Sequence, residues 1–395
     1  MKILREITIP GRWCLHSYYT MRPYVPDGSG RILLAGADLE TGLARVFIVG
    51  ADGQVVDSFG EHAVEASFYH TGFWQTWSPD CRYVYFQSGN LQCPTITRRE
   101  LATGREINLD GDAEGFPPLG EPAVSALLGM LYAAGYGYGV YEPQRAPVPF
   151  EDRGRHGLFE YHFEPVSAKL RLSVAEILAT HPDRDELLRI DRELAERNGT
   201  PAGLTLMCYC VRWNPQGTRF MFHFGNHCVV KGRGEPKVLY IFTCNRDFSD
   251  LRMALDLRRG GVHWSWHPDG ERLVGYADLA GQGAGLSIVN RDGSGLRRLC
   301  SATGGGHPSI CPADYNLAMT DNDEMMEFWD IANDRLFEKE FFPAQTAECR
   351  NFGLRDATRV CHHPVFSADG KRALLNVIDG KLSKLIEIAV PECQS

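Results

Sequence analysis

Six times along its length this chain repeats one short frame: a residue, two more, a large apolar residue, then a turn rich in Pro, Asp and Gly. The copies read Met21-Arg-Pro-Tyr24-Val-Pro-Asp-Gly, Trp74-Gln-Thr-Trp77-Ser-Pro-Asp-Cys, Cys210-Val-Arg-Trp213-Asn-Pro-Gln-Gly, His263-Trp-Ser-Trp266-His-Pro-Asp-Gly, His307-Pro-Ser-Ile310-Cys-Pro-Ala-Asp and His363-Pro-Val-Phe366-Ser-Ala-Asp-Gly. A repeated frame marks a repeated structural unit, and equal register puts equivalent residues at the same point of each unit. Tyr24 and Trp77 lie 53 residues apart, and from Trp213 the next three steps are 53, 44 and 56. These intervals are somewhat longer than a WD-type propeller blade. The interval of 136 between Trp77 and Trp213 has room for a further unit near 122–141, without the turn signature, plus an insertion. Seven units result.

Local pattern points the same way. After each turn comes an apolar run such as Arg31-Ile-Leu-Leu-Ala-Gly, Arg82-Tyr-Val-Tyr-Phe-Gln or Arg372-Ala-Leu-Leu-Asn-Val, followed by a second such as Lys237-Val-Leu-Tyr-Ile-Phe. Short strands joined by Pro/Asp/Gly turns at near-even spacing predict an all-β chain, a seven-bladed β-propeller. The strand just before each turn is then the innermost, and its first residues line the central channel. The terminal segment and the run Lys384-Leu-Ile-Glu-Ile-Ala would share a blade, so that no sheet edge is left open. One stretch departs from this pattern. Ser173-Val-Ala-Glu176 is a capping box, and 185–197 is a charged amphipathic run ending at Asn198-Gly199. A small insertion with short helices, 143–203, is expected within a single domain spanning 1–395.

Composition bounds the partners. Net charge is −9, which argues against nucleic acid and anionic membrane as partners. No apolar stretch is long enough to cross a bilayer, and the opening residues do not read as a signal peptide. Twelve cysteines in such a chain predict reduced thiols and a cytoplasmic location. Most of them are expected to be small core residues.

The first position of the frame carries the chemistry. Cys210, His263, His307 and His363 occupy it in four units, so they are expected to converge at the channel. One thiolate and three imidazoles form a tetrahedral donor set suited to zinc rather than to magnesium or calcium. A His that merely opens an inner strand and bonds backbone is the alternative for any one of them; four in register favour the metal. Cys361, two residues before His363, points to the same face and is an alternative sulfur donor. Cys208 stands in the same relation to Cys210.

At these segments the chain resembles the seven-bladed propeller polysaccharide lyases, namely the oligogalacturonate and ulvan lyases. Gly306-His307-Pro-Ser is similar to the Gly-His-Pro-Ser of the former, and Cys361-His-His363-Pro to their His-Pro-His-Pro. The resemblance implies that His307 and His363 bind metal, that Cys361 replaces a third ligand His, and that Thr358 stands where the family has a ligand Gln. It places His263 at the proposed catalytic base, so ligand and base are rival roles for that residue. His70-Thr-Gly-Phe-Trp-Gln-Thr-Trp and Tyr136-Gly-Tyr138-Gly are similar to ulvan-lyase segments that supply a catalytic His and Tyr, with Arg153 or Arg155 as the accompanying Arg. The activity implied is β-elimination on uronic-acid oligosaccharides with a divalent transition metal, zinc favoured and manganese the other candidate.

Such a reaction needs a cation to neutralise the uronate carboxylate, a base and an acid. His70 or His263 would be the base and Tyr138 the acid or, as phenolate, the base; Tyr136 and Tyr138 packing on the insertion is an even alternative. Three other functions are alternatives. A non-catalytic binding propeller needs no Cys/His cluster. A propeller-gated serine hydrolase needs a Gly-x-Ser-x-Gly elbow, which is missing. A glycoside hydrolase needs two flanking carboxylates, and no convincing pair stands out.

Overall fold

Apolar residues on both faces of a strand must be covered on both sides, and here neighbouring blades do the covering. The computed structural model describes all residues except 65–67, 90–93, 112–113, 115, 127–149, 227–233, 279–280, 282, 304–305, 323, 345–359 and 393–395. Its strands form seven antiparallel sheets in chain order, a seven-bladed β-propeller. Second strands such as Ile32–Asp38, Arg272–Ala277 and Arg372–Asp379 are buried almost throughout. Outermost strands such as Val55–Ala63 and Arg335–Phe341 are largely exposed. That gradient is why the run after each turn is the most apolar of its unit.

Seven buried clusters hold the blades together, one at each interface between neighbours. Trp13, Leu33, Val84 and Phe86 join the first and second blades. Tyr85, Ile96, Phe159 and Tyr161 join the second and third. The fourth meets the third through Val124, Leu158 and Phe222, and the fifth through Met221 and Leu273. Val274 and Ala318 link the fifth to the sixth, Met319 and Leu375 the sixth to the seventh, and Leu34 and Leu374 the seventh to the first. A seventh-to-first interface means the ring is closed. Strand Ile3–Ile7 completes the seventh blade, pairing Ile7 with Leu385 and Glu6 with Ile386 on Leu382–Ala389. Pairing the start of the chain with its end removes the free edge.

The third blade has three strands among the described residues: Ala123–Ala126, Gly157–Phe163 and Val166–Ser173. Part of the span expected to be a helical insertion, 157–173, therefore belongs to a blade. The helices, Val174–Thr180 and Arg184–Asn198, follow it. Ser173 and Glu176 cap the first reciprocally, and Gly199 ends the second in a left-handed conformation, which costs glycine little. Val174, Ile177, Leu187 and Leu194 pack into the cluster between the third and fourth blades. The helices thus extend an existing core and need none of their own.

Candidate metal centre

The repeated frame is also a repeated backbone conformation. Trp74, Cys210, His263 and His363 share a left-handed φ, at 54°, 53°, 56° and 46°. Non-glycine residues rarely adopt this region, and its occurrence in register marks a built feature. In the fourth and fifth blades the pairing with the second strand slips here, between Tyr209 and Arg212 and between Val262 and Ser265. Such a bulge leaves residues out of the ladder and re-aims side chains. The inner strands of the second, fourth, fifth and seventh blades therefore open with a kink at the frame's first residue.

His307 reaches the channel differently. Gly306 precedes it, and a Cβ there would lie 1.5 Å from the Asp321 carbonyl oxygen. Only glycine allows the two backbones to approach this closely. The approach brings the buried Asp321 carboxylate onto His307: its oxygens accept from the His307 backbone N–H and lie 3.0 and 3.1 Å from Nδ1. The His363 N–H also donates to it at 3.4 Å. Burial would raise the Asp321 pKa, but the charge and hydrogen bonds of His307 outweigh it and hold the carboxyl well below the usual range.

His363 is oriented by backbone. Its Nδ1 lies 3.0 Å from the Ser17 carbonyl oxygen, a contact that requires a proton on Nδ1 and so leaves Nε2 as the donor atom of the ring. Ser17, itself left-handed at φ 93°, is tied by its hydroxyl to the Thr71 carbonyl at 2.7 Å.

Three donors then meet. His307, Cys361 and His363, all buried, hold their ligand atoms within 4.8 Å of one another. The imidazoles of His307 and His363 have centroids 4.3 Å apart. Both carry a partner on Nδ1, a carboxylate for one and a carbonyl for the other, which is how ligating histidines are usually fixed. The donor chemistry, two imidazoles and a thiol oriented from behind, fits a divalent transition metal.

The expected four-residue set is corrected in its sulfur. Cys210 is not in the group; it lies in the core between the fourth and fifth blades. The three donors that meet come from the sixth and seventh blades. His263 lies next to His307, with ring centroids 4.2 Å apart, at the edge of the group and outside the mutual 4.8 Å set. His70 is in the one-turn helix Phe68–Thr71, adjacent to the residue that ties Ser17; its side chain lies outside the described residues, as do Tyr136, Tyr138 and Thr358. Arg153 is corrected to a latch. It binds Asp191 through two hydrogen bonds of 2.8 and 2.9 Å and the Leu204 carbonyl at 2.9 Å, and Asp191 accepts from Gly203 and Leu204 N–H. It fastens the second helix to the fourth blade. Arg155 is exposed and pairs with Asp152 at 3.0 Å.

Sequence reasoning missed several residues. Tyr18, Tyr19, Met21 and Trp74 form an eighth cluster, and it plugs the channel. Tyr18 lies edge-on to His363 at 4.6 Å, and Tyr19 is 5.1 Å from His307. Burial raises both phenol pKa values, so both stay protonated. Beneath them the buried Arg212 donates to Glu114 at 2.6 Å and to Tyr19 Oη at 3.2 Å, with its guanidinium 5.5 Å from the Tyr18 ring centroid. The one available signal was polarity in apolar company, as with Asp321 in Leu317-Ala-Met-Thr-Asp321 and Arg212 between Val211 and Trp213.

No protein-family model and no curated protein matches the chain. Solved structures do match. An oligogalacturonate lyase from Vibrio parahaemolyticus superimposes with a TM-score of 0.65 at 15% identity, covering 98% of this chain and 93% of its own. An oligogalacturonate lyase in complex with manganese gives the same TM-score and coverages at 17% identity. The likeness read from the motifs thus extends to the fold over nearly the whole chain; these matches do not bear on the ulvan-lyase segments.

Proposed function

We propose that this protein is a metal-containing lyase that cleaves short uronic-acid oligosaccharides by β-elimination. The observation that carries this reading is the oriented donor trio of His307, Cys361 and His363 at the channel of a propeller with the oligogalacturonate lyase fold. When bound there, a divalent ion would neutralise the substrate carboxylate and make the adjacent proton acidic. The thiolate favours zinc, with manganese the other candidate.

The remaining tasks fall to the chain. A base removes the proton from the carbon bearing the carboxylate; the released electron pair forms the new carbon–carbon double bond, and the bond to the 4-linked oxygen breaks. That oxygen leaves with a proton from an acid. His263 is the favoured base: it stands beside the donor group, with its carbonyl held by the Tyr19 hydroxyl at 2.8 Å. His70 is the alternative, and Tyr138 is the proposed acid. We further place the enzyme in the cytoplasm, acting on small fragments with no nucleic-acid or membrane partner. In support, the described cysteines are free thiols, and no described helix is long and apolar enough to cross a membrane.

The test is elemental analysis of the purified protein, paired with ultraviolet absorbance of unsaturated product on a panel of oligouronides. Bound transition metal and unsaturated product are expected. His263→Gln and Tyr138→Phe should each lower turnover by about 10²–10⁴. Metal-loaded protein that releases no unsaturated product from any uronide would leave a sugar-binding propeller as the better reading.

A further inference from the structure

The channel has a second end. Beyond the Tyr18–Tyr19 plug, toward the Pro-Asp-Gly turns, lies a cavity of 280 Å³. It excludes all three metal donors and takes the later residues of the same inner strands, Ser265 and Trp266 after His263, and Ser309 and Ile310 after His307. Pro308, next to His307, is also on its wall, so at ~3.3 Å per strand residue the cavity runs from roughly 3 to 10 Å down the channel from the donor group. Tyr19 belongs to both sides: its ring faces His307 and His263, and it also lines the cavity.

Charge distinguishes this cavity from a packing void. Its titratable walls include Arg22, Arg212 and Glu114. The last two form a buried ion pair of 2.6 Å and cancel. Arg22 donates a hydrogen bond of 2.6 Å to the Phe116 carbonyl, and among the described residues no carboxylate pairs with it. Burial draws its pKa down to about 10, which still leaves it charged at neutral pH. A partly buried guanidinium beside open volume, with no carboxylate pairing with it among the described residues, is a favourable place for an entering oxyanion. The walls also fit a ring. The indoles of Trp213 and Trp266 border the cavity, and Trp266 is fixed by Nε1 donating to the Arg212 carbonyl at 2.8 Å. Such faces suit the apolar side of a sugar, and Thr76 and Ser265, which also line the cavity, carry hydroxyls able to bond polar groups. The volume is that of a small-ligand site near the lower end of the usual range.

We propose that this turn-side cavity is a second binding site, separate from the metal centre, for an anionic monosaccharide whose oxyanion pairs with Arg22. The shared chemistry is one oxyanion on a pyranose-sized ring, which a free uronate or a sugar phosphate would satisfy.

The experiment is isothermal titration of the intact metal-loaded protein with galacturonate, glucose 6-phosphate and galactose. Either anion should bind at least about tenfold more tightly than neutral galactose, equivalent to about 1.4 kcal/mol; which anion binds better identifies the source. Arg22→Met should abolish that preference, Arg22→Lys should retain part of it, and His307→Ala should leave it intact, because His307 belongs to the other site. A thermal melt confirms that each variant is folded. Equal affinity for galactose and both anions, anion binding unchanged in Arg22→Met, or no heat up to about 10 mM ligand would each overturn the proposal. So would loss of anion binding in a folded His307→Ala variant, which would assign it to the metal centre.

Discussion

Replacing Asp321 by Asn removes one charge and almost no volume, and it should uncouple the donor group from its support. Asp321 faces three donors: the Nδ1–H and backbone N–H of His307 and the N–H of His363. Asn offers one carbonyl oxygen and turns an NH₂ toward a donor, so at least one buried hydrogen bond is lost. A hydrogen bond to a charged group contributes about 1.5–3 kcal/mol. Loss of an outer partner of a ligating His typically lowers metal affinity by about 10–100-fold, or about 1.4–2.7 kcal/mol; the two ranges agree. Competition between apo-protein and a chromophoric chelator for zinc measures this directly, with a thermal melt of the apo form to separate folding from binding. A Kd within about twofold of wild type would refute the assignment of His307 as a ligand held by Asp321.

Two further outcomes follow from buried charge. Arg212→Met strands Glu114 in the plug without its cation, which should cost about 3–5 kcal/mol; adding Glu114→Gln should restore a large part of it in denaturant melts, and a single variant within about 1 kcal/mol of wild type would show the pair to be dispensable. His181 accepts from the Asp183 N–H through Nδ1 at 2.9 Å, and burial pushes its pKa down to about 4. An unfolded His takes up a proton below about pH 6.5 while the folded one does not until about 4, so its contribution is intact above 6.5 and is lost as pH falls through that window. Up to about 3 kcal/mol is at stake; the drop in melting temperature from pH 7 to 5 should shrink in His181→Asn, and an unchanged drop would clear His181 of the effect.

What the chain by itself determines here is periodicity, and periodicity is local. Spacing of apolar anchors and turn residues sets the number of blades, because each unit carries its own strand and turn signals and cannot bury both faces alone. The capping box at Ser173 and the stop at Gly199 are equally local, since their partners lie within a few residues. The site was legible only in part. Register along the frame brought out His263, His307 and His363, because equivalent positions in a ring face the same channel. Register does not say how near the side chains of two blades come. The choice of Cys361 over Cys210 was therefore decided by tertiary packing, which brings the Cys361 sulfur within 4.8 Å of the ligand atoms of His307 and His363. The rest has the same origin. Asp321 reaches His307 because Gly306 lets two backbones touch, Ser17 reaches His363 across 346 residues of sequence, and Arg153 is drawn to Asp191 by a helix packed on the blade. Contacts between residues far apart in the chain carry no pattern along it, and only tertiary packing creates them.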